Sequence, residues 1–471
     1  MRQAASAETK RVALILATIS AFLTPFLGSA VSVALPSIGH EFEMDAVALS
    51  WVSTAYLLAA AIALVPVGRL ADIHGRKRIW LYGVALYTLF SVLCAAAPSG
   101  AWLIAFRALQ AVGSTLIYGT GLAILTSVFP REERGRVIGF NVAAVYVGLS
   151  AGPFLGGLLT AQWGWRSIFL AMVPLGVIAI VLILTRLKGE WAEARGEPFD
   201  VAGSVIYGVA LVALIYGLSI LPSAAGALLG VAGVAGLAAF AWWELRTENP
   251  VLRVQLFRDN FVFAVSNLVA LVNYGATVAV TFVLSLYLQY VQGLSPAAAG
   301  LVLVSQPIVM TAVSPLAGRL SDRIEPRLLV SAGMALTAAG LFALVWLSTA
   351  TPLAFVVATL VVQGVGFGLF SSPNANAIMS SVIPRYYGVA SGMLSTMRVV
   401  GQMVGMALTM VMLSLYIGQE PISAENLPAF LAAVRTACLA FAVLSIAGAL
   451  ASLVRGNVRG PEPEAARVRG A

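Results

Sequence analysis

Two arginines stand inside stretches otherwise suited to hydrocarbon, each followed by a glutamine about one helical turn on: Arg107 with Gln110, and Arg398 with Gln402. A charged side chain at membrane depth is costly and is a functional candidate by default. At spacings of three and four the glutamine shares the arginine's helix face. Further amides collect in the second half, namely Asn267, Asn273, Gln306, Gln363 and Asn374. Tyr274, Phe282, Tyr287, Phe367 and Met310 supply a soft apolar wall of the kind a promiscuous site needs. These groups can bind and orient a small molecule, but they cannot break its bonds. No nucleophile with its base, no metal-ligand cluster and no Gly-x-x-x-x-Gly-Lys-[Ser/Thr] phosphate loop occurs. Cys94 and Cys438 read as small apolar fillers. The chemistry implied is recognition and transport, with no catalytic residue, no metal and no cofactor.

The elements that must hold these residues are membrane helices. The chain has 471 residues, of which 60% are hydrophobic and 10% charged, and its mean hydropathy of +0.93 is too apolar for one water-soluble core. Apolar runs of about 20 residues, each able to span a bilayer as a helix, recur from end to end. Their continuous apolar faces argue against a membrane barrel. About fourteen spans are expected, among them 12–36, 48–69, 79–97, 137–160, 224–243 and 388–414. The first is too long for a signal-peptide core. The net charge of +8 is no nucleic-acid patch, because the basic residues fall in alternate loops. Glu41, Glu43, Asp45, Glu420 and Glu425 lie in the others. This positive-inside pattern predicts a multi-pass protein of the cytoplasmic membrane with both termini in the cytoplasm.

A basic loop, Gly68-Arg69-Leu70-Ala71-Asp72-Ile73-His74-Gly75-Arg76-Lys77-Arg78, returns 250 residues later as Gly318-Arg319-Leu320-Ser321-Asp322-Arg323-Ile324-Glu325-Pro326-Arg327. A loop repeated in both halves of a polytopic chain indicates a duplicated helical bundle, as in secondary transporters. Six helices need less than that spacing. The excess is assigned to a bland Gly/Ala/Leu-rich hairpin, Asp200 to Glu244, expected to face lipid. The predicted organisation is a six-helix half over 1–190, the inserted hairpin with its linkers over 191–258, a second six-helix half over 259–455, and a disordered tail over 456–471. In the fifth span Gly148, Gly152 and Gly156 share one face, with Pro153 and Gly157 beside them. Small residues four apart allow close helix approach, and proline loosens the helix locally.

The repeated loop resembles the one between the second and third helices of the major facilitator superfamily. Gly-x-x-x-Gly-Pro-x-x-Gly-Gly at 148–157 is similar to the antiporter motif of its exporters. Arg107-Ala108-Leu109-Gln110-Ala111-Val112-Gly113 resembles its fourth-helix motif, and the stretch Gly388 to Gln402 resembles a helix of the fourteen-span drug/proton antiporters. The resemblance implies an all-α facilitator fold of two six-helix bundles plus a hairpin, with the ninth and twelfth spans lining a central cavity. It further implies alternating access, in which the halves rock while Gly68, Asp72, Gly75, Arg76, Gly318 and Asp322 latch one side. The implied function is multidrug efflux by proton antiport, or, as a second reading, facilitated movement of one specific metabolite without a proton.

One departure stands out. The family's first-helix aspartate is Leu27 here, and all twenty Asp and Glu fall in loops, tails or span ends. His40 and His74 are placed in loops. Proton coupling then rests on marginal groups such as Asp72, Glu41 or Asp45, or is absent. With arginines and no carboxylate in the spans, the expected substrates are neutral, zwitterionic or anionic amphiphiles. The expected partners are these small molecules and the lipid bilayer, not nucleic acid, and the expected state is a monomer.

Overall fold

The computed structural model describes residues 6–44, 46–221, 223–294, 296–418 and 426–456. The tail from 457 onward, together with Asp45, Glu420 and Glu425, lies outside the described residues. Among those described, fourteen helices are long and apolar enough to cross a membrane, and there is no strand. They are α1 Ala7–Glu41, α2 Trp51–His74, α3 Arg76–Ala95, α4 Gly100–Val128, α5 Arg131–Trp163, α6 Arg166–Thr185, α7 Val201–Leu218, α8 Ala224–Glu244, α9 Phe261–Val291, α10 Ala298–Ser321, α11 Pro326–Leu344, α12 Leu353–Ser380, α13 Pro384–Ile417 and α14 Leu427–Val454.

The count agrees with the sequence reading, but several helices are longer than the apolar runs. In particular α1 and α5 run past the hydrocarbon length at both ends. His40 and His74, expected in loops, instead sit at the ends of α1 and α2. The basic segment 68–78 is likewise not a loop. Helix α2 continues through Asp72 to His74, Gly75 alone breaks the chain, and α3 starts at Arg76. Gly75 has φ +107°, a region open to glycine and strained for other residues, so the reversal is made in one residue. Its copy is less tight: α10 ends at Ser321 and Pro326 opens α11.

The first half is built on α1 against α5. Gly148, Gly152 and Gly156 of α5 meet Phe22, Phe26 and Ala30 of α1 so closely that a Cβ on Gly148 would lie 2.7 Å from the Phe22 carbonyl oxygen, and one on Gly156 would lie 2.6 Å from the Ala30 Cβ. The second half repeats the device with Gly405 of α13 against Gly275 of α9. With lipid no less apolar than leucine, such close packing is what holds membrane helices together. In the hairpin α7–α8, helix α8 leaves Leu228, Val231 and Val234 exposed, as its composition suggested, while Val201 and Val205 of α7 line an apolar groove shared with Ile62 and Pro66 of α2. On the inner face, the Tyr207 hydroxyl reaches the Ala61 carbonyl of α2 and Thr396 of α13. The hairpin therefore touches both halves.

Candidate functional site

The halves meet at the end of the bundle that carries the basic residues, called the basic face below. Asp72, at the end of α2, is fully buried. Its Oδ1 accepts from Arg76 Nε at 2.9 Å and Nη2 at 2.6 Å. The same carboxylate also reaches across to the first turn of α13, taking the amides of Gly388 at 3.0 Å and Val389 at 3.1 Å. An α-helix begins with amides that have no intrahelical partner and a partial positive charge, so a carboxylate there is stabilised twice over. Arg76 completes the closure by donating to Ser127 of its own half and to the Pro384 carbonyl of the other.

The second copy does the same in reverse. Asp322 accepts from the amides of Gly135 at 2.6 Å and Arg136 at 2.8 Å, in the first turns of α5. Both crossings need bare backbone. A Cβ on Gly68 would sit 2.4 Å from the Gly388 carbonyl oxygen, and one on Gly318 would sit 2.2 Å from that of Gly135. Two reciprocal latches thus close the basic face, each a carboxylate from one half on a helix N-terminus of the other. The Tyr387 ring lies between Arg76 and Arg134, 5.4 Å from each guanidinium. Gly135 and Gly388 were not assigned this role from sequence, although Pro130-Arg131-Glu132-Glu133-Arg134-Gly135 and Pro384-Arg385-Tyr386-Tyr387-Gly388 carry a related signal: a proline opening a helix, with glycine about one turn inside.

Behind the latches lies a narrow cleft of about 40 Å³, lined by Ser20, Tyr118, Asn141, Tyr274, Ser371 and Arg398 among others. Its walls come from both halves. The Arg398 guanidinium faces the rings of Tyr274 at 5.1 Å and Tyr118 at 5.7 Å, and its Nε has no partner. A cation held by ring faces rather than by a carboxylate keeps hydrogen-bonding capacity free for a ligand. Next to it, Phe367 packs edge-on against Tyr146 at 6.0 Å and Tyr274 at 5.4 Å. This joins α5 to α9 and α12 through aromatic contacts. No carboxylate lines the cleft among the described residues.

Of the nine binding candidates named from sequence, Arg398 alone lines this cleft. Arg107 is buried within the first half, donating to Gln110 at 2.6 Å and to the Val52 carbonyl at 3.3 Å, over the Tyr56 ring at 4.2 Å. Gln110 passes the chain to Ser91. Asn374 is turned into the second half, where it accepts from Arg455 at 3.0 Å and donates to the Ser266 carbonyl. Gln363 packs against Gly340 of α11, and Asn267 bonds its own helix at Phe263. Asn273 and Gln306 are buried, and Gln402 is half-buried one turn beyond Arg398. Pro153 is exposed, and Gly157 sits at the edge of the face of α5 that grips α1, where a Cβ would meet Val33 of α1 at an ordinary 3.6 Å. Tyr118, Asn141, Ser371 and Ser395 are cleft residues that composition alone did not single out.

Replacing Arg107 by Ala would leave Gln110 and the Val52 carbonyl short of a partner. The expected cost is on the order of 1–3 kcal/mol, read as a lower melting temperature of the purified protein. Because Arg107 does not line the cleft, the ranking of transported substrates should stay the same.

Residues 17–406 and again 266–471 match the family described as Major Facilitator Superfamily. The chain is 30% identical to the riboflavin transporter RibZ of Clostridioides difficile (strain 630) over 83% of its own length and 85% of that protein's. It is 34% identical to the multidrug resistance protein Stp of Mycobacterium tuberculosis (strain CDC 1551 / Oshkosh), covering 85% of this chain and 75% of Stp. Its fold is similar to that of the proton:xylose symporter XylE bound to 6-bromo-6-deoxy-D-glucose. The TM-score is 0.69 over 98% of both chains, at 14% identity.

Proposed function

The chain belongs to the major facilitator superfamily, and from that premise we propose that it exports amphipathic small molecules across the cytoplasmic membrane by alternating access. The observation that carries this reading is the pair of reciprocal latches, Asp72 on α13 and Asp322 on α5. Each bonds one half to the other through groups that separate cleanly when the halves rock apart. The basic face is the cytoplasmic one in this reading, because positive residues mark the inner ends of spans. Opening there would widen the cleft around Arg398 and admit substrate from the cytoplasm or inner leaflet, and reclosure would expel it outward.

Export rather than uptake is supported by the glycine-proline segment at 148–157 and by the likeness to a multidrug resistance protein. Arg398, set among aromatic rings with no carboxylate beside it, favours neutral, zwitterionic or anionic amphiphiles over organic cations. The proton gradient is the proposed energy source, with a single chain as the working unit. The likeness to RibZ favours a second reading, movement of one polycyclic metabolite by the same cleft.

Purified protein in liposomes, with a panel of anionic, neutral and cationic dyes, separates these. Export predicts accumulation driven by an imposed pH gradient. It also predicts that Arg398→Ala reduces anionic dye transport at least tenfold and neutral dye transport less. Equilibration blind to pH and confined to one compound would instead support the second reading. Preference for cations would refute the proposed substrate class.

A further inference from the structure

The root of the hairpin holds an arrangement of carboxylates that the latches do not use. Asp200 caps α7, its Oδ1 accepting from the Gly203 amide at 2.8 Å and its Oδ2 from the Trp243 indole at 2.9 Å. Glu244 ends α8 and is fully buried. Its Oε2 accepts from the Leu252 amide at 2.9 Å, but its Oε1 has no donor. That orphan oxygen and Asp200 Oδ2 both border the bare backbone of Gly203, where an added Cβ would meet each of them at 2.4 Å. A buried carboxyl oxygen without a donor is expensive. Two carboxylates sharing a site do not both stay ionised readily. A proton on Glu244 Oε1 relieves both costs.

The charged groups around the pair form a chain that crosses the molecule. Asp200 and Arg69 are the charged side chains that act on Glu244. Arg69, from α2 and almost fully buried, donates through Nη2 to Glu197 Oε2 at 2.5 Å, while its Nε has no partner. Glu197 lies in the linker entering the hairpin, and its other oxygen pairs with Arg385, in the first turn of α13 in the opposite half. On the segment that follows α8, Arg253 donates to the Tyr386 hydroxyl and Arg246 stacks on Trp242 at 3.9 Å. The linker also grips the end of α2 directly, the Ala194 amide donating to the Asp72 carbonyl at 3.0 Å.

We propose that Glu244 Oε1, buried without a donor beside Asp200, is a proton-binding site, and that its occupancy is coupled through Arg69, Glu197 and Arg385 to closure of the basic face. The coupling rests on the alternating-access reading above; the proton site does not. Its sign follows from charge. When the face is closed, Arg385 adds a positive charge to a cluster of three carboxylates and Arg69. Opening carries Arg385 away, leaves the carboxylates with one cation, and raises the hold of Glu244 on its proton. Acid therefore favours the open basic face, and alkali the closed one. The hairpin then works as a sensor of pH on the basic side.

The test uses the full chain in lipid nanodiscs, without substrate or gradient. Infrared difference spectra recorded along a pH titration should show a carboxylic-acid carbonyl band that Glu244→Gln removes and Glu197→Gln keeps. Spin labels at positions 78 and 323, exposed and in opposite halves, report opening. With Cys94 and Cys438 replaced, the open-to-closed ratio should rise several-fold as pH falls, and it should lose that dependence in both variants. Glutamine at 244 can donate to Asp200 as the protonated acid does, so the variant keeps its fold. A band unchanged in Glu244→Gln overturns the proton site. A pH response that survives both substitutions overturns the coupling. A band that behaves as stated, with labels showing a single distance under all conditions, would leave the proton site standing and overturn both the coupling and alternating access.

Discussion

Asp72→Asn is expected to open the basic face and to cut transport by at least tenfold, with the protein still folded and in the membrane. The carboxylate is fully buried and holds four donors, two from Arg76 and two from the start of α13. Asparagine offers one acceptor oxygen in place of two and no charge. It would leave one α13 amide unmatched, remove the favourable interaction with that helix terminus, and strip the buried Arg76 of its counter-ion. The Asp72–Arg76 pair is local to the first half and survives opening, so only the contacts to α13 bias the two states. Losing one charge-assisted hydrogen bond, together with the charge that strengthens the other, suggests a shift of about 3 kcal/mol, roughly a hundredfold in the open-to-closed ratio. Distances between spin labels on the two halves would show it directly. Asp322→Asn should shift the same equilibrium in the same direction, since it removes the mirror contact on α5. An unchanged distance distribution in both variants would mean that the latches do not set the resting state.

Much of this architecture could be read from the residues, and the reason is physical. A helix crossing a bilayer must be apolar for about 20 residues, so the fourteen spans show as runs. The basic stretch 68–78 reads as a loop between spans, and only the fold shows that Gly75 alone makes the reversal. A carboxylate repeated at Asp72 and Asp322 between basic residues marks a device used twice. What the sequence hides is direction around each helix. In a soluble protein one face is polar and the inward residues declare themselves; in a membrane helix every face is apolar. The amides Asn267, Gln363 and Asn374 join Arg398 as candidates because they are polar and because the resemblance implies that the ninth and twelfth spans line a cavity, whereas they turn into the second half and Arg398 turns into the cleft. The same blindness applies to partners made of backbone. Of the four amides that receive Asp72 and Asp322, two belong to Gly388 and Gly135 and two to Val389 and Arg136, and no side chain of theirs announces the contact. Glu244 escaped notice for a related reason: at the last residue of its span it passes for an ordinary interfacial carboxylate, and burial becomes evident only once Gly203 and Asp200 are packed against it.

Gly388→Val should hold the basic face open more stubbornly than the loss of either aspartate. At this crossing α2 and α13 touch backbone to backbone. A Cβ on residue 388 would lie 2.3 Å from the Gly68 carbonyl oxygen and 2.6 Å from Asp72 Oδ1. Neither atom can yield: the first belongs to a helix and the second is fixed by Arg76. The helices would have to separate by an ångström or more, and that alone lengthens both amide bonds to Asp72 beyond a useful distance. Removing the carboxylate takes away an attraction and leaves closure possible; adding the side chain forbids closure while the carboxylate waits unused. Efflux should therefore fall below a tenth of its original rate, and the label distances should sit at the open value at every pH. Gly157→Ala supplies the control, because a Cβ there meets only Val33 Cγ1 at 3.6 Å, an ordinary contact, and its transport should stay within twofold of the original. If Gly388→Val transports normally, the closed crossing of α2 and α13 is not a state the transport cycle visits.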